Sequence, residues 1–159
     1  MDDTQEAFTS EEICEQAKGN VGAVSLLLLT YARDRGQPLE EAVRFFGRAF
    51  APGWDEVPAR DARTTVRWAA LNMVTGGGEL RRLEGDARHA QSVVGRWPLE
   101  EDLAFFGLSQ QEADAFYGLF APIAERLGLT YTWRRDGDKV TMTFTAGDSR
   151  RRRRDDAPS

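Results

Sequence analysis

The segment from Leu129 to Phe144 constrains the fold more than any other part of the chain. Two runs of alternating apolar and polar residues flank Asp136-Gly137, a dipeptide typical of two-residue hairpin turns. With these two residues in the turn, the sequence predicts a hairpin with one apolar face and three pairs across it, Trp133–Val140, Tyr131–Met142 and Leu129–Phe144. The other face of this hairpin is mostly threonine and is expected to contact water.

The N-terminal half predicts four helices. Thr9-Ser10-Glu11-Glu12 has the form of a capping box, in which the Thr9 hydroxyl and the Glu12 carboxylate bind each other's backbone amides. Gly19 is expected to end the first helix, and the next stretch is apolar nearly all round, which is typical of a helix buried on most faces. The predicted helices cover residues 10–18, 20–35, 38–50 and 61–74.

A second hairpin is predicted between residues 79 and 97, where the helical period is absent. Glu84-Gly85-Asp86 forms the turn between its two strands. Alternation along the second strand places four residues on one face, namely His89, Gln91, Val93 and Trp97.

Two helices are predicted between the hairpins. The first opens at Pro98 and closes at Gly107. A second capping box at Ser109 begins the other, which runs to Leu127 and which Pro122 is expected to kink.

This order of elements predicts an α+β fold, with an N-terminal helical layer packed on an antiparallel sheet of two β-hairpins separated by a helix pair. A length of 159 residues suits one domain of ordinary size. We expect a flexible N-terminus at residues 1–8, a single α+β domain at residues 9–147 and a disordered Arg-rich tail at residues 148–159.

The charge balance argues against a general nucleic-acid binder. The chain has 21 Lys and Arg against 26 Asp and Glu, whereas phosphate binding needs a surplus of basic residues. A basic run at Arg150 to Arg154 leaves contact with nucleic acid possible only through the tail.

No apolar run approaches the roughly 20 residues of a membrane helix, and Met1-Asp2-Asp3-Thr4 lacks the basic flank of a signal peptide. We therefore expect a cytoplasmic protein with no membrane partner.

Cys14 and His89 limit the chemistry that the chain could support. One cysteine and one histidine cannot form an internal disulfide or a Cys/His zinc site, so no metal is expected. Acidic neighbours disfavour a thiolate at Cys14, which favours a packed or idle side chain. His89 is the candidate general base, although a half-buried surface histidine explains it as well.

Aromatic and polar residues at structural spacing are candidates to line a ligand cavity. Trp68 and Asn72 are four residues apart on one helix face, where an aromatic wall and an amide could hold a planar ligand. Core packing, with Asn72 bonded near the helix end, explains the same spacing equally well. The candidate ligand-binding residues are Trp68, Asn72, Met73, Trp97, Phe116, Tyr117, Phe120, Tyr131 and Trp133.

The C-terminal third carries a family resemblance. The run from Phe116 to Trp133, followed by Gly137-Asp138 and the strand from Val140 to Phe144, resembles the C-terminal half of the vinyl-reductase-type small-ligand-binding domains and of the aminothiazoline-carboxylate hydrolase-like proteins. Residues 70–94 and Trp97-Pro98 resemble the helix, hairpin and proline turn that precede it in the latter group. About half of the chain is covered.

This resemblance implies a fold that binds small molecules. The two families usually carry cysteines near the proline turn and around the Gly-Asp hairpin, where this chain has Trp97-Pro98 and Lys139-Val140-Thr141, so a cysteine-dependent activity is not expected. The related haem-based nitric-oxide sensors bind haem through a helical histidine, whereas His89 lies in a predicted strand. No cofactor is therefore expected.

Three functions remain open from the sequence. The first is a small-molecule-binding domain for an apolar or planar ligand. The second is a cysteine-independent hydrolase or lyase of a small-molecule pathway, with His89 as general base and Asn72 or Arg67 orienting the substrate. The third is a dimeric scaffold or protein-interaction module in which an exposed sheet edge pairs with another chain. A homodimer is expected.

Overall fold

The computed structural model describes residues 8–147, which fold into helices and one antiparallel sheet, so the predicted α+β class is confirmed. The predicted Arg-rich tail and most of the predicted flexible N-terminus lie outside the described residues. The helices are α1 Ser10–Asp34, α2 Leu39–Phe50, α3 Ala62–Thr75, α4 Glu100–Phe106, α5 Gln110–Asp114 and α6 Phe120–Leu127, with 3₁₀ turns at Ala51–Glu56 and Ala115–Leu119. The strands are β1 Glu79–Gly85, β2 His89–Gly95, β3 Leu129–Asp136 and β4 Lys139–Ala146.

The sheet has the order β1-β2-β4-β3, so its two central strands come from different hairpins. One face packs under the helices, and its centre consists of buried residues from β2 and β4: Ala90, Ser92, Val94, Val140, Met142 and Phe144. The other face carries the threonines of β3 and β4, which are exposed or half-buried. The wet face that alternation predicted is therefore correctly placed.

The register of the C-terminal hairpin differs from the prediction by two residues. Trp133 pairs with Met142 and Tyr131 pairs with Phe144, and Asp136 itself belongs to the last pair, with Lys139. The turn is therefore Gly137-Asp138, with φ +59° at Gly137, which is the pattern of a type II′ turn with glycine first. Because side chains alternate with a period of two, this shift leaves every residue on its predicted face.

Helix α1 is continuous, so the predicted end at Gly19 is wrong. The Thr9–Glu12 capping box is present, and the helix runs for 25 residues until Gly36, with φ +69°, ends it. A mid-helix glycine costs only about 1 kcal/mol relative to alanine, which the long flanking helix tolerates. The expectation of burial on most faces is also wrong, because the buried side is narrow and consists of Leu26, Leu29 and Ala32.

The helix predicted from Ser109 to Leu127 is divided. Its capping box is present, but α5 gives way to a 3₁₀ turn at Ala115–Leu119 before α6 begins. Pro122 does not cause the break, because it lies in the first turn of α6, where a missing backbone N–H removes no helical hydrogen bond.

Trp97 does not share a face with His89 and Val93, contrary to the prediction from alternation. Strand β2 ends at Gly95, and Arg96 takes a left-handed φ of +58°. This turn of the backbone sends Trp97 into the helical core, where its side chain is 5% exposed.

Helices α1 and α3 approach each other through glycines. A β-carbon built on Gly22 would lie 2.6 Å from the carbonyl oxygen of Gly76, at the end of α3. Real β-carbons do not approach backbone oxygen so closely, so the crossing requires glycine at position 22. At Gly19, three residues earlier on the same helix, a β-carbon would meet nothing within 4 Å.

None of the helices in this part of the chain is long and apolar enough to cross a membrane. Nor does any group of three or more His, Cys, Asp or Glu residues within 8–147 have an arrangement that could hold a metal ion.

Gly22 and Gly19 of α1 form a matched pair for substitution. We expect Gly22→Ala to lower the free energy of unfolding by about 1–3 kcal/mol, because the helices must move apart. Gly19→Ala should raise it by about 0.5–1 kcal/mol, because alanine favours the helix and no atom obstructs it. Chemical denaturation of both variants measures the difference, and equal effects would contradict the close crossing.

Candidate functional site

A cavity of about 550 Å³ lies within the helical layer. Its lining comes from α1, α2, the end of α3 and α6, from the 3₁₀ turns at Ala51–Glu56 and Ala115–Leu119, and from Trp97. The residues that line it are Asn20, Val21, Val24, Ser25, Leu28, Phe46, Phe50, Gly53, Trp54, Asn72, Met73, Thr75, Gly76, Trp97, Phe116, Leu119, Phe120 and Ile123.

Aromatic rings make up much of the wall and support one another. Trp97 packs on Phe116 with ring centres 5.1 Å apart, and Trp54 meets Phe120 edge-on at 6.1 Å. Edge-to-face and tilted contacts of this kind are favourable and restrict both rings. The wall is therefore a rigid apolar surface.

Trp54 is held in place from outside the cavity. The neighbouring Asp55 accepts two hydrogen bonds from Arg126 of α6, at 2.9 and 2.6 Å. These hydrogen bonds hold the pKa of the Asp55 carboxyl below its usual value. The 3₁₀ turn that carries Trp54 is thereby tied to the helix on which its ring packs.

Trp97 is held by a nearly buried ion pair. Arg135 of β3 donates to both carboxylate oxygens of Asp114 at 2.7 Å, and it also donates to the backbone carbonyl of Trp97 at 3.2 Å. The two charged side chains are only 17% and 11% exposed. This pair therefore links α5, β3 and the loop that carries the main aromatic wall.

Polar groups gather at one end of the cavity. The Asn72 amide donates to the carbonyl of Trp68 at 2.8 Å, which leaves its side-chain oxygen available as an acceptor. The Asn20 oxygen accepts from Gln16, which leaves its NH₂ group available as a donor. The Trp97 indole N–H makes no hydrogen bond to a described residue, and it lies 3.7 Å from where a β-carbon on Gly76 would stand. The lining thus offers a ligand two hydrogen-bond donors, the Asn20 NH₂ group and the Trp97 N–H, and one acceptor, the Asn72 side-chain oxygen.

The lining contains no ionisable side chain. Each of its members is apolar, aromatic, glycine, or a neutral Asn, Ser or Thr residue. A general acid or base must lie within hydrogen-bond reach of the reacting group. The cavity wall itself therefore offers hydrogen bonds and apolar contact but no proton-transfer group.

Several predicted ligand-binding residues do come together here. Asn72, Met73, Trp97, Phe116 and Phe120 all line the cavity.

Four other predicted residues lie elsewhere. Trp68 lines a smaller, adjoining cavity of about 290 Å³, which shares Trp54 and Asn72 with the first one. Trp133 borders a more polar cleft that contains Glu40, Arg44 and Asp114. Tyr117 and Tyr131 are part of the aromatic core below the cavity, where the Tyr131 hydroxyl donates to the Tyr117 carbonyl at 2.9 Å.

His89 is on the opposite side of the sheet. It pairs with Thr145 on the wet face, its side chain is exposed, and its Nδ1 lies 2.9 Å from the Thr145 hydroxyl. The sheet separates it from the cavity, so the two are not brought together. A ligand in the cavity has no access to this imidazole.

Sequence reasoning missed the contribution of α1 and α2. Val21, Val24 and Leu28 of α1 line the cavity, as do Phe46 and Phe50 of α2. Their signal was an excess of apolar residues around both helices, which was interpreted as burial. Phe50 is 60% exposed and Val24 is 55% exposed, so the same excess marks the mouth of a cavity.

Comparison with models of known protein families and with curated protein sequences gives no match for this chain.

The two core tyrosines form a second matched pair. Tyr117 is fully buried and its hydroxyl has no partner among the described residues, whereas the Tyr131 hydroxyl is bonded. Removing an unpaired buried hydroxyl is favourable, so Tyr117→Phe should raise the free energy of unfolding by about 1 kcal/mol. Tyr131→Phe should lower it by about 1 kcal/mol. Urea denaturation measures both, and stabilisation by both substitutions would contradict the hydrogen bond.

The same pair predicts sensitivity to alkali. Burial raises the pKa of both hydroxyls, so the folded chain holds them neutral after the unfolded chain has ionised. The contribution of the two neutral hydroxyls to the free energy of unfolding is complete below about pH 10, the pKa of tyrosine in the unfolded chain, and decreases as the pH rises above it. Unfolding free energy measured from pH 8 to pH 11 should therefore fall above about pH 10. The fall should be smaller in the variant that carries both phenylalanines.

Proposed function

We propose that this chain binds a small, neutral, mostly apolar or planar molecule in the cavity of the helical layer. The observation that carries the proposal is the lining, which combines a rigid aromatic wall with no ionisable group. A volume of about 550 Å³ lies within the range of about 300–1,000 Å³ typical of small-molecule sites.

The polar end suggests what the ligand carries. An acceptor on the ligand can take the Trp97 indole N–H or the Asn20 amide, and a donor can bind the Asn72 oxygen. The lining offers no charged partner to a carboxylate or ammonium group. The expected ligand is therefore uncharged, with one polar end and an apolar body.

The resemblance to vinyl-reductase-type domains agrees with this proposal, because those domains bind small molecules. The alternative of a hydrolase or lyase with His89 as general base gains no support, since His89 lies across the sheet from the cavity.

Native mass spectrometry of the purified full-length protein tests the proposal directly. A retained molecule appears as added mass that is lost on denaturation. If the protein is purified empty, Nile red, which is neutral and planar, serves as the probe, and we expect its fluorescence to rise on binding. At a ligand concentration of 100 times Kd, binding stabilises the folded state by about 2.7 kcal/mol, which thermal denaturation detects.

Matched variants locate the site. Trp97→Phe keeps an aromatic ring but removes the N–H, so Kd for a ligand with an acceptor should rise by about tenfold, equivalent to one lost hydrogen bond. His89→Ala should leave binding unchanged. An unaltered Kd in Trp97→Phe together with a raised Kd in His89→Ala would place the ligand elsewhere. Failure to bind any neutral aromatic probe would overturn the proposal.

A further inference from the structure

An exposed apolar stripe follows the side of α1 that borders the mouth of the cavity. Its members recur at alternating intervals of three and four residues, and the structure leaves all of them exposed: Cys14, Ala17, Val21, Val24, Leu28 and Tyr31. Val24 is 55% exposed and Tyr31 is 56% exposed. The buried residues Leu26 and Leu29 lie on the other side of the helix.

The alternation of three and four is the pattern of a helix that packs along another helix. Side chains so spaced form a seam that fits a partner helix of the same pitch. The first turns of α1 have no cover from the body of the protein, since residues 10–17 are all exposed. A short helix without tertiary contacts is marginally stable in water, so these turns gain stability from a partner.

We propose that the stripe binds the same stripe of a second copy of this chain, so that two α1 helices pack antiparallel. A two-fold axis between Val21 and Val24 sets each of these residues against the other in the second copy. On the same axis Ala17 lies opposite Leu28 and Cys14 lies opposite Tyr31. Each small side chain thus meets a large one, which fills the seam evenly.

Charge decides the direction of the pair. The start of α1 carries Glu11, Glu12 and Glu15 with one cation, Lys18, and is net negative. Its end carries Arg33 and, at the cap, Arg35 with one anion, Asp34, and is net positive. Parallel helices would bring the two acidic ends together. Antiparallel helices bring the acidic end of one copy to the basic end of the other, which lowers repulsion and directs association.

Edge strand β1 does not compete for this role. Edge strand β1 is irregular between Leu80 and Arg82, and it carries Glu79, Arg81 and Glu84 beside them. Bulges and charges of this kind prevent strand addition. A dimer formed through β1, as in the scaffold alternative, is therefore disfavoured relative to one formed through α1.

Association through α1 has a consequence for the cavity. Val21, Val24 and Leu28 belong both to the stripe and to the cavity lining. The second α1 helix therefore lies over the mouth and shields its apolar rim from water. Dimerisation itself does not depend on the cavity being a ligand site, and it is measured without ligand.

Sedimentation equilibrium of the full-length chain tests the proposal. We expect a mass twice that of one chain, and Val24→Glu should raise the dimer dissociation constant by at least about a hundredfold, because it places two carboxylates in the seam. Phe105→Glu is the matched control, since Phe105 is 83% exposed on α4 and is not a member of the stripe, and this variant should remain dimeric. Circular dichroism checks that both variants are folded.

Crosslinking tests the direction of the helices. Cys14 is the one cysteine of the chain, so Tyr31→Cys adds a second thiol at the position expected opposite Cys14 of the other copy. Mild oxidation should join position 14 of one chain to position 31 of the other. Disulfides that join equal positions would show parallel helices and overturn the arrangement. A wild-type chain that stays monomeric at its highest soluble concentration, or equal dimerisation of wild type and Val24→Glu, would overturn the interface.

Discussion

The ion pair between Arg135 and Asp114 is the contact on which the cavity depends most. It joins three segments far apart in the sequence, because Arg135 lies in β3, Asp114 ends α5 and the same guanidinium binds the carbonyl of Trp97. Removing one member of a buried ion pair typically costs about 3–5 kcal/mol, since the other charge stays buried without its partner. Trp97, with its indole N–H at the polar end, is held by this network and not by any strand or helix of its own.

The helical layer has room for a cavity because most of the hydrophobic core lies elsewhere, between the sheet and the helices that pack on it. The buried side chains of β2 and β4 face the helices, where α3 packs on both strands and α6 packs on β3. α1 touches this core only along Leu26 and Leu29, so its remaining apolar residues have no sheet beneath them. The open space therefore lies between helices.

Local patterns predicted the elements well and their contacts poorly. Both capping boxes, the Asp61 cap and the faces of β3 and β4 follow from short-range hydrogen bonding and alternation. Gly19 misled because a glycine in a helix is only a modest penalty, and Trp97 misled because one left-handed residue, Arg96, reverses its direction. Of the candidate site residues, Met73, Phe116 and Phe120 could be predicted from helical stripes. Val21, Val24 and Phe50 could not, because an apolar residue at a cavity mouth has the same sequence signal as a buried one.

The strand order β1-β2-β4-β3 also governs how the chain can fold. Each hairpin closes through neighbouring residues, but the pairing of β2 with β4 joins His89 to Thr145, across more than a third of the chain. Contacts of such long range form slowly, because the intervening chain loses entropy before they are made. Until then, the edge of β4 that later pairs with β2 has unpaired backbone groups, although β3 already covers its other edge. Docking of the first hairpin removes this edge, through which two incompletely folded chains could otherwise associate.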